Sequence, residues 1–241
     1  ATAATGGNLE NDPQVTNEQY NAKQVILNAY RLVSSSYMDN DVDEQVLINL
    51  MPMLVESVAR AHGRAVESAI INGGGSVTGL DGYAAAHGTT LDISDGDLLT
   101  ADLLLAARKG MGKYGINPSE MVYIVSQNSY FDLLSDAKFQ TVDEVGSDLA
   151  ARVTGTIGAV YGTPVVVSEE FPSTEAAGVP AAVAVYTRNY VIPRLRGVTV
   201  EQDYEVMNQR RVIVASQSLG FEEILAGTTG NEPAVKIDFV A

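Results

Sequence analysis

Cysteine is absent from the 241 residues, so the chain has neither a disulfide framework nor a thiolate nucleophile or ligand. Histidine is nearly absent. His62 and His87 are the two there are, too far apart for ligand spacing, and with Ser76 lacking the following glycine of a nucleophile elbow no triad is indicated. Positive charge is scarce as well: 15 Lys and Arg stand against 30 Asp and Glu, for a formal charge of -15. Tight sequence-specific nucleic-acid binding needs a clustered basic face, and this balance argues against it. No apolar run approaches the ~18 residues that span a bilayer, and the N-terminus lacks the basic and apolar regions of a signal peptide.

What is present is the material of a folded chain, long enough for one large domain or two interleaved lobes. Residues 1–21 are small and polar with no apolar period, and read as an extended arm or loop. Residues 22–34 (AKQVILNAYRLVS) read as a half-exposed strand. The acidic cluster Asp39, Asp41, Asp43 and Glu44 then introduces a helical pattern reaching Ile71, about 43 Å long if unbroken. Its apolar stripe runs through Leu47, Leu50, Met51, Leu54, Val58, Ala61 and Ala65, with His62 beside it as a packing or surface residue. Pro52 must kink this helix or begin its main segment, and Asn72 with Gly73, Gly74 and Gly75 ends it. The stretch from Val77 to Asp97 reads as turns and short strands, with Leu80-Asp81-Gly82 a tight turn and His87 in a glycine-flanked loop.

A second helix is expected over Thr100–Tyr114, capped by Thr100 and apolar at Leu103, Leu104, Ala107 and Met111. Strands are expected at 121–126 (MVYIVS), at 165–168 (VVVS, read as buried), at 181–186, 198–201 and 212–216, and in the tail VKIDFV, with a short helix over Asn128–Ser135. Helices alternating with strands in this way point to an α+β sheet covered by helices.

Motifs for chemistry fail on context. The glycines 73, 75 and 79 follow a helix, whereas a dinucleotide fingerprint follows a strand, and Gly112-Lys113 lacks the first glycine (Ala107) and the Ser/Thr (Tyr114) of a phosphate loop. The pairs Glu169-Glu170 and Glu222-Glu223 read as solvated charge. One basic cluster remains: Arg188, Arg194 and Arg196 with Tyr186 and Tyr190 interleaved (YTRNYVIPRLRG), a composition suited to protein interfaces. With Tyr30 and Arg31, the residues Tyr190, Arg194 and Arg196 are the candidate subunit-contact set.

In order along the chain, these segments resemble a known family. The run from Ala22 to Gly82 resembles the extended-loop strand, long spine helix and Gly-rich turn of tailed-bacteriophage major capsid proteins of the Hong Kong 97 type. MVYIVSQNSYFDLLSDAKFQ is similar to that family's central strand and short helix, YGTPVVVSEEFP to its Gly-x-Pro-Val strand, AVAVYTRNYVIPRLRG to its return strand, and VIVASQSLGFEEIL to its last peripheral element. The resemblance implies an N-terminal arm and extended loop over residues 1–42, a peripheral domain over 43–96 and 180–230, and an axial domain over 97–179 and 231–241. Only some 40 residues precede the spine helix, fewer than a full arm and loop require, so part of that region is expected to be shortened or missing. Lys23 lies where some relatives carry a cross-linking lysine, but no partner asparagine is evident and no cross-link is expected.

The implied function is a virion shell subunit that assembles with itself into hexamers and pentamers in the host bacterial cytoplasm and encloses double-stranded DNA. It would meet a portal and possible scaffold and decoration proteins, with no cofactor and no membrane. The acidity would then either give the shell a repulsive inner wall or serve solubility alone. Two other readings stand beside it: an encapsulin-like bacterial compartment with the same fold, and a small enzyme using the acidic loop Asp92–Asp97.

Overall fold

The computed structural model describes residues 26–40, 51–74, 76–94, 97–136, 158–172 and 174–240. The expected arm, Lys23 and the helix start with Asp41, Asp43, Glu44, Leu47 and Leu50 lie outside those residues.

Two sheets organise the chain. Strand β1 (Tyr30–Asp39) lies antiparallel to β9 (Arg210–Leu219), which pairs on its other side with β8 (Arg194–Glu205), giving a three-stranded sheet. The second sheet has six strands in the order β2 (Thr90–Ile93), β11 (Ala234–Phe239), β6 (Pro180–Tyr186), β3 (Met121–Ser126), β5 (Thr163–Ser168), β4 (Ala159–Val160). It is mixed: β2 and β11 are parallel, as are β3 and β5, while β6 runs antiparallel to both β11 and β3. A two-stranded ribbon of β7 (Tyr190–Val191) and β10 (Glu222–Glu223) sits where the chain passes between the sheets. β2 and β6 thus share one sheet with β3, β5 and β11, and pair with strands far from them along the chain. Sheet membership is set by long-range pairing, which segment order does not show.

Helix α1 (Met51–Ile71) packs on β1 and β9. Val58 and Ile71 are buried and Leu54 and Ala65 half-buried, but Ala61 faces outward and His62 takes the inward position. A histidine fits there because both ring nitrogens have partners: Nε2 donates to Gln217 Oε1 at 3.1 Å, and Nδ1 accepts from Ser34 Oγ at 3.2 Å. Replacing Gln217 with leucine would leave a buried N–H unpaired, at a cost of about 1–3 kcal/mol. Urea unfolding checks this, and the double change His62→Leu with Gln217→Leu should lose less than Gln217→Leu alone, since the buried ring N–H is then gone and only the half-buried Ser34 hydroxyl loses a partner.

The stop after α1 is as expected: Gly73 has φ 73°, and a side chain on Gly79 would put its Cβ 2.2 Å from the Gly73 nitrogen. The next segment differs from its reading. Leu80–His87 is helix α2, closed by Gly88 at φ 102°, with Leu80, Ala84 and His87 on its buried side. Three consecutive alanines outweigh Gly82, which had suggested a turn.

Helix α3 (Ala101–Gly110) is capped by Thr100, whose Oγ1 accepts from Leu103 N, and a 3-10 turn over Gly112–Gly115 replaces the last expected helical turn. With α4 (Gln127–Ser135) it covers one face of the six-stranded sheet, where Leu104, Met111, Tyr123, Leu133, Val235 and Ile237 have no solvent exposure. The opposite face packs on Ile71, Leu80, Ala84, Phe171 and Phe221. Strand β5 is less buried than expected, with Val166 and Val167 exposed, because its outer neighbour β4 is only two residues long.

Candidate assembly surface

Strand register brings distant parts of the chain together at one end of the three-stranded sheet. Tyr30 on β1 and Arg194 on β8 both pair with Leu219 of the central strand, and Arg31 and Arg196 both pair with Ser218. Directly opposed residues share a face. Arg31 and Arg196 therefore stand about 10 Å apart on one face, two strand spacings, with Tyr30 and Arg194 on the other. All four are exposed. Among the described residues Arg31 and Arg194 meet no carboxylate, while Arg196 reaches Glu201 at 3.6 Å across open surface.

Apolar side chains complete this end of the sheet. Leu195, between the two arginines, is 81% exposed, and Ile192, Leu27 and Ile26 are exposed beside it. β8 shifts register between Arg194 and Arg196 and again before Thr199, which explains why the two arginines do not simply alternate with their neighbours. The sequence reading missed Leu195 and Ile192, although both lie inside the segment it quoted.

Tyr190 does not join this surface. Its ring stacks on Phe221 with centroids 5.3 Å apart and an interplanar angle of 6°, and touches Tyr83 at 5.9 Å. Burial holds its phenol far above the ordinary tyrosine range. The other members of the strip are committed elsewhere: Arg188 pairs with Glu120 at 3.0 Å, and Tyr186 packs on Tyr114 and donates to Glu120.

Sites for chemistry are less developed. Asp92 lies exposed on β2 in register with Asp238, whose carboxylate is paired with Lys236 at 2.7 Å, and Asp97 opens the segment before α3. A groove of about 610 Å³ beside α3 is lined by Leu105, Ala106 and Ile116 with Asp102, Arg108 and Lys109. The Arg108 guanidinium there is spent on the carbonyls of Gly115, Ile116 and Tyr161. Among the described residues no three His, Asp or Glu side chains are grouped to hold a metal ion, and no helix is long and apolar enough to cross a membrane.

Comparison with known proteins identifies the family. The family model described as phage capsid protein matches residues 31–230, from β1 through the strap that follows β10. The chain belongs to the phage capsid protein family. This capsid chain is 34% identical to the major capsid protein of Escherichia phage T5 over 210 residues, which take in 85% of the chain and 45% of the T5 protein. It thus spans less than half the length of that curated relative. Solved structures share its fold: one titled Microbacterium phage Oxtober96 aligns with a TM-score of 0.67 at 13% identity, covering 95% of this chain and 81% of that one. The capsid of an empty GTA particle aligns at 0.63 and 16% identity, covering 95% and 81%. Capsid proteins of this family are structural, and the mixed helix and sheet content fits the α+β class expected.

Proposed function

We propose that the chain is the part of a tailed-phage major capsid protein that builds the shell wall, assembling with copies of itself into hexamers and pentamers around double-stranded DNA. The observation that carries this reading is the family match through both sheets, from β1 to the segment beyond β10. The Arg31, Arg194, Arg196 and Leu195 surface supports it: arginine and large aliphatic side chains at an exposed sheet end are what subunit contacts use. In a chain of charge -15, acidic surface for such arginines is plentiful on a second copy.

In this reading α1 is the spine helix and lies with the three-stranded sheet in a peripheral lobe, while the six-stranded sheet with α3 and α4 forms the axial lobe. Residues 1–42 supply the arm and the extended-loop strand β1, which joins this three-stranded sheet. Portal, scaffold and decoration proteins are further partners, and assembly takes place in the host cytoplasm. Sedimentation of the expressed protein tests the function: a fast, homogeneous particle peak is expected, and a stable monomer at all concentrations would count against it.

The shell should hold DNA without binding it. Duplex DNA at low salt is expected to run unretarded in a gel shift with micromolar protein, because neutralising phosphates takes a run of cations that this chain lacks. Retention at that concentration would contradict the repulsive-wall reading.

A further inference from the structure

His87 and Glu223, far apart in the chain, meet in the structure. His87 closes α2 and is buried, not looped out, and Glu223 is buried with it, not solvated. The ring Nε2 lies 2.8 Å from Glu223 Oε1, and Nδ1 lies 3.1 Å from the carbonyl oxygen of Ala234, where β11 begins. Both partners are acceptors. The carbonyl cannot donate, and Glu223 Oε1 also receives the Asn189 side-chain N–H at 3.2 Å. Against a carboxylate and a carbonyl both ring nitrogens donate, and only the imidazolium does so.

The groups tied together are those that carry the chain between the sheets. Asn189 ends the turn from β6 into β7 and β8, and Glu223 lies on β10, on the path from β9 to β11. Asn189 also donates to the Leu225 carbonyl at 2.8 Å, and its own carbonyl accepts from Ile224 N. The strap packs closely on the ring: a Cβ on Gly227 would sit 2.8 Å from His87 Cδ2. Other charged or titratable groups on the surrounding elements have partners of their own. Tyr83 on α2 donates to Glu222 on β10, and Arg188 in the turn before β7 pairs with Glu120. Glu232, before β11, accepts from the Thr89 hydroxyl and the Gly230 N–H, and Lys236 on β11 pairs with Asp81 on α2 and Asp238 on its own strand. Tyr190 on β7 remains a neutral phenol in its aromatic stack.

We propose that this junction is a proton-operated lock: with His87 protonated, both crossover strands are fastened to α2 and β11, and loss of the proton frees them, so that the two sheets gain freedom to move against each other. Burial on its own favours the neutral ring, but the hydrogen bonds to Glu223 and Ala234 and the charges of Glu223 and Glu232 outweigh it and hold His87 above its ordinary value of 6.5. The sign follows from that direction. A cation favoured by the folded state stabilises it fully below the unfolded value, and the contribution is lost as pH rises through the folded one. The lock is therefore closed in mild acid and opens on the alkaline side of 6.5.

Histidine-ring NMR on the intact chain tests this directly, since it has only two histidines to resolve. The His87 ring is expected to titrate above 6.5. Amide exchange over Thr187–Val191 and Phe221–Glu223, corrected for its intrinsic rise with pH, should accelerate through the same midpoint by about tenfold for each unit of elevation, with β3 and β6 unchanged. Glu223→Gln should lower the midpoint and flatten the exchange profile. A wild-type midpoint at or below 6.5, or junction exchange that follows intrinsic chemistry alone through the transition, would overturn the proposal whether or not Glu223→Gln folds.

Discussion

Replacing Arg194 and Arg196 together with glutamate is expected to leave the subunit folded and to abolish particle formation. Neither side chain holds the fold: Arg194 meets no carboxylate among the described residues, and the Arg196–Glu201 pair is half-exposed or more on both sides. Surface pairs of that kind contribute about 0–1 kcal/mol, so circular dichroism and the melting temperature should barely move. At a subunit contact the change acts differently. It puts carboxylates against a surface selected to meet arginine, and the repulsion recurs at each copy of the contact around a closed ring. Electron microscopy against a wild-type preparation checks the outcome, and intact particles would place the Arg194, Leu195, Arg196 end of the sheet on open surface instead.

The second large effect is expected at Leu104→Asp, which should prevent soluble protein from accumulating. Leu104 is 0% exposed, between α3 and the six-stranded sheet, and its carbonyl accepts from the buried hydroxyl of Tyr123 at 3.1 Å. The side chains packed around it are apolar, and the Arg108 guanidinium one turn further on is held by the carbonyls of Gly115, Ile116 and Tyr161. An uncompensated buried charge costs several kcal/mol, against a total stability of about 5–15 kcal/mol for a domain. Leu104→Ala should cost about 2–5 kcal/mol and still give folded protein, which separates loss of packing from burial of charge. Leu54 on α1 is only half-buried, and the same change to aspartate there should be milder. Soluble yield and urea midpoints of the three variants measure the ranking.

The elements that sequence reading recovers are those whose signals are local. The Thr100 cap followed by Leu104, Ala107 and Met111 identifies α3, and MVYIVS identifies β3 as a buried strand. The misreadings have identifiable physical causes. Gly82 reads as a turn signal inside α2, although the alanines after it carry the helix. The stripe on α1 was drawn through Ala61 because a periodicity count rejects histidine, and only Ser34 and Gln217, far off in sequence, make His62 acceptable inside.

The assembly surface shows the same division. That Arg194 and Arg196 form a basic cluster is visible in the run YTRNYVIPRLRG, but the approach of Arg31 depends on both strands pairing with Ser218, a register no local pattern encodes. Tyr190 was grouped with the arginines by proximity in the chain, yet its partners Phe221 and Tyr83 draw it inward. Glu223 was read as solvated because its neighbour is also glutamate, and its histidine partner lies on another element.

On the proposed function, this chain forms the wall of an icosahedral shell through contacts that include the arginine end of its three-stranded sheet. Cryo-electron microscopy of the assembled protein tests it most directly. Closed particles are expected, with pentameric and hexameric clusters in which Arg31, Arg194 and Leu195 of one copy are buried against acidic surface of another. Particles in which that sheet end faces solvent, or a preparation of discrete monomers, would contradict it.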